Sequence, residues 1–288
     1  MNNKVIAERL QEAAGLLERQ GANRFRVNAY RRAAATIESL PEEVSLLIQT
    51  EGLQGLTSLP GIGRFLAMAI AEMVRTGTWL QLERLRGAFD PESMLSRVPG
   101  IGPALAHRIS EKLHVDTLEG LEAAAQDGRL DGIPGFGPRR VAMVRSALAE
   151  MLSRGRRRAR GSQPEPAITA LLDVDREYRN RVHEQKLQLI APRRFNPTGV
   201  AWLPILHTER DVWQFTAVFS NTALAHELGR VRDWVVIFFH TDSRSEGQRT
   251  VVTETQGALK GKRVVRGREE ECRAYYDNLL PFESPNAA

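Results

Sequence analysis

The chain has 288 residues, 42% hydrophobic and 26% charged, so it is long enough for about two globular domains of ordinary composition. It has no run of the roughly 20 apolar residues that a membrane-spanning helix needs, and we therefore predict no membrane partner. Because Cys272 is the only cysteine, an intrachain disulfide and a thiolate-rich metal site within one chain are excluded. The net charge of +5 and the isoelectric point of about 9.7 favour a polyanionic partner without identifying it.

Residues 1–20 are amphipathic rather than continuously apolar. They include Glu8, Glu12 and Glu18, which a secretory signal would not carry in its apolar core. We therefore expect a cytoplasmic protein.

The first half of the chain has helical periodicity almost throughout and no strand pattern. Apolar residues at helical spacing include Val5, Leu10, Leu16 and Leu17, and then Ala29, Ala33 and Ile37. The sequence predicts an all-α N-terminal half built from short helices.

A composition change separates the two halves. A basic run at 154–160 passes into a segment rich in Pro, Gly and Ser that ends at Pro166, as exposed linkers often do. Of the 18 aromatic residues, 6 precede Arg160 and 12 follow it. We predict a linker at 154–166 and a second domain at 167–288.

The second domain combines a few helices with strand patterns of period two. Helices are predicted at 168–184, in a short segment that ends at Gly229, and at 269–279. Strands are predicted at 187–191, 201–207, 213–219, 234–239, 249–255 and 263–266. The fold class is therefore an all-α first half followed by an α+β domain on a mainly antiparallel sheet.

A short glycine pattern occurs three times in the helical half. The copies are Leu59-Pro-Gly-Ile-Gly63, Val98-Pro-Gly-Ile-Gly102 and Ile133-Pro-Gly-Phe-Gly137, and their starts are 39 and 35 residues apart. Glycines allow a tight turn with positive φ, and the helix that follows begins with N–H groups that lack intrahelical partners. Three copies in a basic chain indicate a repeated device rather than ordinary helix turns.

Helix N-termini of this kind bind anions, and on a phosphate polymer they hold the backbone without reading a base. This is the helix-hairpin-helix device for sequence-independent DNA binding. We predict that the hairpins bind DNA through their glycines and through the His and Arg side chains that follow. The predicted residues are Gly61, Gly63, Arg64, Gly100, Gly102, His107, Arg108, Gly135, Gly137, Arg139 and Arg140.

Four ordered motifs resemble the N-terminal lyase-like and fingers regions of X-family DNA polymerases. They are Asn28–Ala34, the first hairpin, Thr76–Arg86 and Arg97–Pro103, and the match extends over about residues 4–150. The resemblance implies a lyase-like domain at 1–87, a fingers-like domain at 88–153, and binding to gapped, nicked or otherwise damaged DNA. It also implies a 5′ phosphate near the first hairpin, where Arg26, Arg31 and Arg64 are the basic candidates.

Two activities of that family are predicted to be absent. The lyase lysine lies six positions after the second hairpin glycine, which here is Ala69, and alanine cannot form a Schiff base. The metal-binding palm needs an Asp-x-Asp on a strand, whereas Asp173 and Asp175 lie in a helical pattern without the preceding glycine motif. About 122 residues follow the linker, which is short for a palm and thumb.

The chemistry of the second domain stays open between three interpretations. Polar residues at strand ends, His207, His240 and Asp242, are weak candidates for a metal-dependent nuclease site. Alternatively, arginines near Phe195 and Trp202 bind a nucleic-acid strand, or the edge of the sheet is simply solvated. Cys272 lies among Glu269, Glu270 and Glu271, which disfavour a reactive thiolate.

The predicted function is a sequence-independent DNA-binding accessory factor in repair or replication, without polymerase or lyase activity. The alternative is a metal-dependent nuclease with its active site in the second domain. DNA is the predicted partner, and repair or replication proteins are possible partners of the second domain. No cofactor is predicted, apart from a structural monovalent cation at a hairpin, or Mg²⁺ or Mn²⁺ under the nuclease alternative.

Overall fold

The computed structural model describes residues 1–87, 94–113, 115, 118–126, 128–159, 165–243 and 246–279. Helices fill the first half and a sheet fills most of the second. Among the described residues, no helix is both long enough and apolar enough to cross a bilayer. The helices are α1 (Asn3–Arg19), α2 (Arg24–Glu38), α3 (Val44–Thr57), α4 (Arg64–Thr76), α5 (Leu80–Leu85), α6 (Pro103–Leu113), α7 (Leu118–Gln126), α8 (Pro138–Ala159), α9 (Ile168–His183), α10 (Ala223–Glu227) and α11 (Glu269–Leu279).

Residues 1–87, the first helical unit, form a bundle around the α1–α2 pair. The Asn2 side chain caps α1 by accepting from the Val5 N–H, and Asn23 caps α2 in the same way. The Tyr30 ring of α2 stacks on Trp79 with centroids 5.9 Å apart, and its hydroxyl donates to Gln81 at the start of α5. These contacts hold α5 against the α1–α2 pair.

Residues 94–150, the tandem unit, contain the second and third hairpins and have a hydrophobic core of their own. The core is formed by apolar side chains such as Leu95, Ile109, Leu121, Val144 and Leu148, all of which are fully buried. This unit contacts the first helical unit through an ion pair of 2.9 Å between Arg97 and Glu72.

Residues 165–279, the sheet unit, form a six-stranded antiparallel sheet in the order β1-β2-β3-β4-β5-β6. The strands are β1 (Gln188–Ile190), β2 (Leu203–Arg210), β3 (Trp213–Phe219), β4 (Val235–His240), β5 (Gly247–Thr253) and β6 (Arg263–Val265). Every strand pairs with its sequence neighbours, and β2 and β3 are joined by a tight turn at Asp211, whose φ is 52°. The predicted α+β class and all six predicted strands are confirmed.

One face of the sheet packs on α9 and α11. Tyr178 of α9 is fully buried, donates to the Pro204 carbonyl, and accepts from the Phe219 N–H. Its ring meets Phe219 edge-on at 4.9 Å, as aromatic pairs prefer. Cys272 of α11 is buried, and its sulfur accepts from the Val265 N–H; burial raises the pKa of this thiol, which fits a packing role.

The opposite face of the sheet packs partly on the first helical unit, and the two share one hydrophobic core. Gln20 of the helical unit bonds the His207 ring at 2.9 Å, and Arg84 pairs with Glu246 at 2.6 Å. The Arg84 guanidinium also lies 3.6 Å from the centroid of the Phe238 ring. Segments more than 80 residues apart in sequence are therefore joined by buried polar contacts as well as apolar packing.

Candidate nucleic-acid interface

The three glycine hairpins have the same backbone geometry. In each, the residue between the two glycines donates its N–H to the carbonyl three residues earlier, at 3.2, 2.9 and 3.0 Å. The first glycine of each copy has a positive φ, 77° at Gly61, 90° at Gly100 and 100° at Gly135. The intervening Ile62, Ile101 and Phe136 are buried, as a plug between two helices must be.

The second and third hairpins pack against each other reciprocally. A side chain at Gly100 would meet Met143 and Val144 of α8, the helix that follows the third hairpin. A side chain at Gly135 would meet Leu105 of α6 at 2.9 Å and Arg108 at 3.2 Å, and α6 follows the second hairpin. The first glycine of each hairpin thus touches the helix that belongs to the other, so the two copies form a pseudo-symmetric pair.

Both hairpins of this pair begin their helices with proline. Pro103 and Pro138 lack an N–H, so the amides left at the helix starts are those of the second glycine and of the residue after the proline. In the described part of the chain, the amides of Ala104 and Arg139 donate to no backbone oxygen. Gly102 and Gly137 have open space where a side chain would stand, so an anion can approach both amides.

The first hairpin differs because the sheet unit covers its helix start. The Phe65 N–H corresponds in position to the amides of Ala104 and Arg139, and it donates to the Asp242 carbonyl at 3.1 Å. The same carbonyl lies 3.4 Å from where a Gly63 side chain would stand. An oxygen of the chain itself therefore occupies the place where a phosphate oxygen would bind.

Basic side chains surround the tandem hairpins. Arg139 and Arg140 are exposed, and the Arg140 guanidinium donates to the Gly135 carbonyl of its own hairpin. His107 is exposed on α6, and Arg108 bridges to the Pro134 carbonyl of the third hairpin at 2.7 Å. The structure thus brings the predicted residues of the second and third hairpins onto one unit, with Arg108 joining the two.

The basic residues predicted in the first helical unit are placed differently. Arg64 is exposed at the start of α4. Arg31 pairs with Glu18 at 2.6 Å. Arg26 is only 7% exposed, and its guanidinium has no hydrogen-bond partner among the described residues. In this arrangement, Arg26 lies beneath the surface that a DNA phosphate would contact.

His207 and His240, the weak metal candidates of the sheet, are engaged in hydrogen bonds or in ring stacking. His207 uses both ring nitrogens, one with Thr216 at 3.0 Å and one with Gln20. His240 stacks on Phe65 with ring centroids 3.8 Å apart. Burial lowers the pKa of both histidines well below the usual value, and nearby arginines lower it further, so both rings are neutral at pH 7. Within the described ranges, no group of three His, Cys, Asp or Glu residues is arranged to hold a metal ion.

Ala69 and the Asp173–Asp175 pair, on which the predicted absence of lyase and polymerase activity depends, all lie within helices. Ala69 is 5% exposed within α4. Asp173 and Asp175 lie on α9, which confirms the helix predicted there. Asp173 binds Arg210 at 2.7 Å, whereas Asp175 binds Arg263 at 2.7 Å. The two carboxylates therefore have different arginine partners rather than sharing a site.

Comparison with known proteins supports the helix-hairpin-helix interpretation. Residues 1–79 match the family described as "Helix-hairpin-helix domain". The family described as "SAM-like Helix-hairpin-helix tandem" matches twice, at residues 53–113 and 92–150. The first match contains the first and second hairpins, and the second match contains the second and third. The chain is also 30% identical over 167 residues to the DNA polymerase/3'-5' exonuclease PolX of Bacillus subtilis (strain 168).

The N-terminal part of this chain resembles the N-terminal region of X-family DNA polymerases. The alignment covers 57% of this chain but only 26% of the relative, so the chain spans about a quarter of that protein. The helix-hairpin-helix matches support DNA as the partner.

Sequence reasoning missed two features of the interface. One is the cover on the first hairpin, which depends on a main-chain carbonyl of a residue 177 positions later in the chain than Phe65. The other is the reciprocal packing of the second and third hairpins. One sequence signal distinguishes the first hairpin from the other two. Arg64 follows the first hairpin, whereas a proline follows the second and the third.

Proposed function

We propose that this protein binds the phosphate backbone of gapped, nicked or branched DNA without regard to sequence, as an accessory factor in repair or replication. The observation that carries the proposal is the tandem unit, where two helix starts present amides that donate to no backbone oxygen, with exposed Arg139 and Arg140 at the third hairpin. An amide pair and a guanidinium match one phosphate each and make no contact with base edges.

The packing of the second and third hairpins against each other sets the distance between the two proposed phosphate sites. Because each first glycine contacts the partner helix, the two helix starts are held at a fixed separation. Two rigidly spaced phosphate sites bind more tightly than two independent ones, since the second contact forms without further loss of freedom. The second and third hairpins are therefore the DNA-binding pair, and the first hairpin holds the sheet unit.

The proposal includes the absence of lyase and polymerase activity. Between Lys4 and Lys112 the sequence contains no lysine, so the first hairpin has no amine for a Schiff base near Ala69. The Asp173–Asp175 pair is engaged by separate arginines on a helix, which is unlike two carboxylates converging on metal ions. Both observations favour a binding role for the chain.

The proposal is tested by measuring affinity for nicked duplex by fluorescence anisotropy over a series of salt concentrations. The double variant Arg139→Glu/Arg140→Glu is expected to weaken binding about 100-fold at low salt. The slope of log K against log salt should become shallower by about 2, since two phosphate contacts are lost. The matched control, Arg75→Glu/Arg232→Glu, makes the same charge change at exposed arginines outside the tandem unit.

Two results would contradict the proposal. One is an affinity of the unaltered protein that hardly changes between low and moderate salt. The other is equal loss of affinity in the test and control variants, which would assign binding to overall charge rather than to the hairpins.

A further inference from the structure

A cleft opens on the face of the sheet that the first helical unit covers only in part. It has a volume of about 270 Å³ and lies over strands β1 to β5, with Arg84 and Gly87 of the helical unit at one side. Apolar side chains form most of its wall, namely Ile190, Leu203, Val218, Trp234, Val236 and Phe238. Apolar walls with few polar groups are typical of small-ligand sites, and this volume is just below their usual range of about 300–1,000 Å³.

Two polar side chains in the cleft are uncommitted. Gln248 and Thr250 are two residues apart on β5 and so point to the same face. Neither side chain makes a hydrogen bond to another described residue. The arginines of the cleft, in contrast, are already paired: Arg84 with Glu246 at 2.6 Å and Arg266 with Glu254 at 2.7 Å. The cleft therefore offers an amide and a hydroxyl to a ligand, and no unpaired charge within the described residues.

An exposed aromatic ring stands beside the cleft. Phe195 is 44% exposed, and its backbone has a φ of 52°, a conformation that is costly for a bulky residue. One side of its ring packs on His226 with centroids 4.3 Å apart, and the Arg194 guanidinium lies 5.2 Å from the ring centroid. Asn221, which lines the cleft, donates to the Arg194 carbonyl at 3.0 Å and fixes this loop at the edge of the cleft.

We propose that Phe195 and the cleft bind unpaired nucleotides of gapped DNA. One base stacks on the exposed part of the Phe195 ring, and a neighbouring base enters the cleft, where its hydrogen-bonding edge meets Gln248 and Thr250. This inference rests on the proposed function, because Phe195 and the cleft would bind the unpaired part of a gapped substrate, which the hairpins do not contact.

The chemistry of the site fits a base better than other ligands of similar size. A base has an apolar face for the floor that Val218 and Val236 form side by side, and a polar edge for the amide and hydroxyl of β5. Stacking on an aromatic ring is available to every base, so the site adds affinity for single strands without adding sequence preference. Arg193, which is exposed beside Phe195, provides positive charge for the sugar-phosphate backbone.

The position of the cleft also fits a gapped substrate. Gly87 borders the cleft, and the tandem unit begins at residue 94, seven residues later. Because seven residues span at most about 25 Å, the cleft and the start of the tandem unit lie within that distance. The start of the tandem unit is therefore close enough to the cleft for one DNA molecule to contact both.

The test compares affinities of the full chain for two substrates, a nicked duplex and the same duplex with a gap of several nucleotides. Phe195→Ala is expected to weaken binding to gapped DNA about tenfold and to leave binding to nicked DNA within twofold. The matched control is Phe25→Ala, because Phe25 is an exposed phenylalanine, at 83%, in the first helical unit.

A second variant tests the cleft itself without a large change in volume. Gln248→Met/Thr250→Val removes both polar groups at nearly constant side-chain volume and is expected to weaken binding to gapped DNA about fivefold, again without affecting nicked DNA. A 2-aminopurine placed in the gap should lose fluorescence on binding the unaltered protein, because its base becomes stacked. It should keep its fluorescence with Phe195→Ala.

The outcomes separate the two proposals. If nicked DNA is bound as expected but neither variant reduces binding to gapped DNA, this inference is overturned and the proposed function stands. If the unaltered protein binds neither substrate, the proposed function itself fails. Equal losses on both substrates would overturn the inference too, since Phe195 and the cleft would then not distinguish unpaired nucleotides.

Discussion

His240 is unusual among the polar residues of the chain because it is buried without hydrogen-bond partners. It is 4% exposed, and neither ring nitrogen has a hydrogen-bond partner of good geometry among the described residues. Burial lowers the pKa of the ring, and the Thr241 backbone lies close enough to oppose that shift in part. Its ring lies nearly parallel to Phe65, at an interplanar angle of 8°. Two unsatisfied buried nitrogens cost free energy, whereas the stacking contact would be kept by any flat ring.

We predict that His240→Phe stabilises the protein by at least about 1 kcal/mol at pH 7, because it removes two buried unpaired atoms and retains the stack. The variant should also change the pH dependence of the free energy of unfolding. The groups that lower the pKa of His240 are Arg26, Arg84 and His207, in addition to burial.

The sign of the pH effect follows from the lowered pKa. Below about pH 6.5 the unfolded chain binds protons at His207 and His240, and the folded chain does not, so stability falls as the pH is lowered. Each such histidine contributes up to about 1.4 kcal/mol per pH unit, so His240→Phe should reduce the slope between pH 6.5 and 5 by about that amount. Urea unfolding measures both effects. An unaltered slope in His240→Phe would contradict the prediction.

The role of Asp242 shows why residue-scale features of the interface escape prediction from sequence. Its contact with the first hairpin is made by the main-chain carbonyl, so the identity of the side chain carries no signal. The hairpins themselves are predictable, because their turn needs glycine at a positive φ and an apolar residue next to it. The buried setting of Arg26 depends on long-range packing, which its neighbours in sequence do not specify.

At the scale of elements, the two glycines of each hairpin have separate tasks. Gly135 has a φ of 100° and touches Leu105, whereas Gly137 has open space around its Cβ position. The first glycine therefore determines the packing of the tandem unit. The second lies at the start of the helix, beside an amide that donates to no backbone oxygen in the described part of the chain.

We predict that Gly135→Ala and Gly137→Ala have opposite patterns of effect. Gly135→Ala should destabilise the tandem unit by about 1–3 kcal/mol, because alanine is strained at this φ and its Cβ would lie 2.9 Å from Leu105. Gly137→Ala should leave stability nearly unchanged but weaken binding to nicked DNA, since the new methyl group stands beside the amides of the helix start. Thermal unfolding and anisotropy titrations measure the two effects, and a stable Gly135→Ala variant would contradict the assignment.

The strands were predictable as elements because their side chains alternate between two covered faces. In β4, Val235, Ile237 and Phe239 face one way, and Val236, Phe238 and His240 face the other. Ends were less predictable: β2 continues to Arg210, three residues beyond the prediction, because Thr208 and Arg210 pair with Glu177 of α9. That extension is fixed by a helix about 30 residues away in sequence, not by the strand pattern itself.

At the scale of the whole molecule, the shared core links the first helical unit to the sheet unit more closely than to the tandem unit. The sequence predicts a linker at 154–166 between segments of different composition, although α8 continues to Ala159. The packing instead joins residues 6–85 and 168–272 in one hydrophobic cluster. Apolar patterns identify which faces are buried, but not which partner covers them.

Because the first helical unit and the sheet unit share one core, we expect them to unfold together. Arg84 is 5% exposed in its side chain and pairs with Glu246 of the sheet unit, so Glu246→Gln leaves a buried guanidinium without a carboxylate. We expect a loss of about 3 kcal/mol, spread over the first helical unit and the sheet unit together. Glu12→Gln, which breaks the exposed pair of Glu12 with Arg86, should cost less than about 1 kcal/mol.

Native-state hydrogen exchange distinguishes a shared core from independent domains. In Glu246→Gln, the most protected amides of α1, α2, β3 and β4 should lose protection by the same free energy, because the two units open as one cooperative body. Amides of α6 and α8 in the tandem unit should keep their protection, since their core is separate. If protection fell in the sheet unit alone, the first helical unit would be an independent domain. The Asp242 carbonyl would then be a separable cover, and the first hairpin would become available to DNA without unfolding of its own helices.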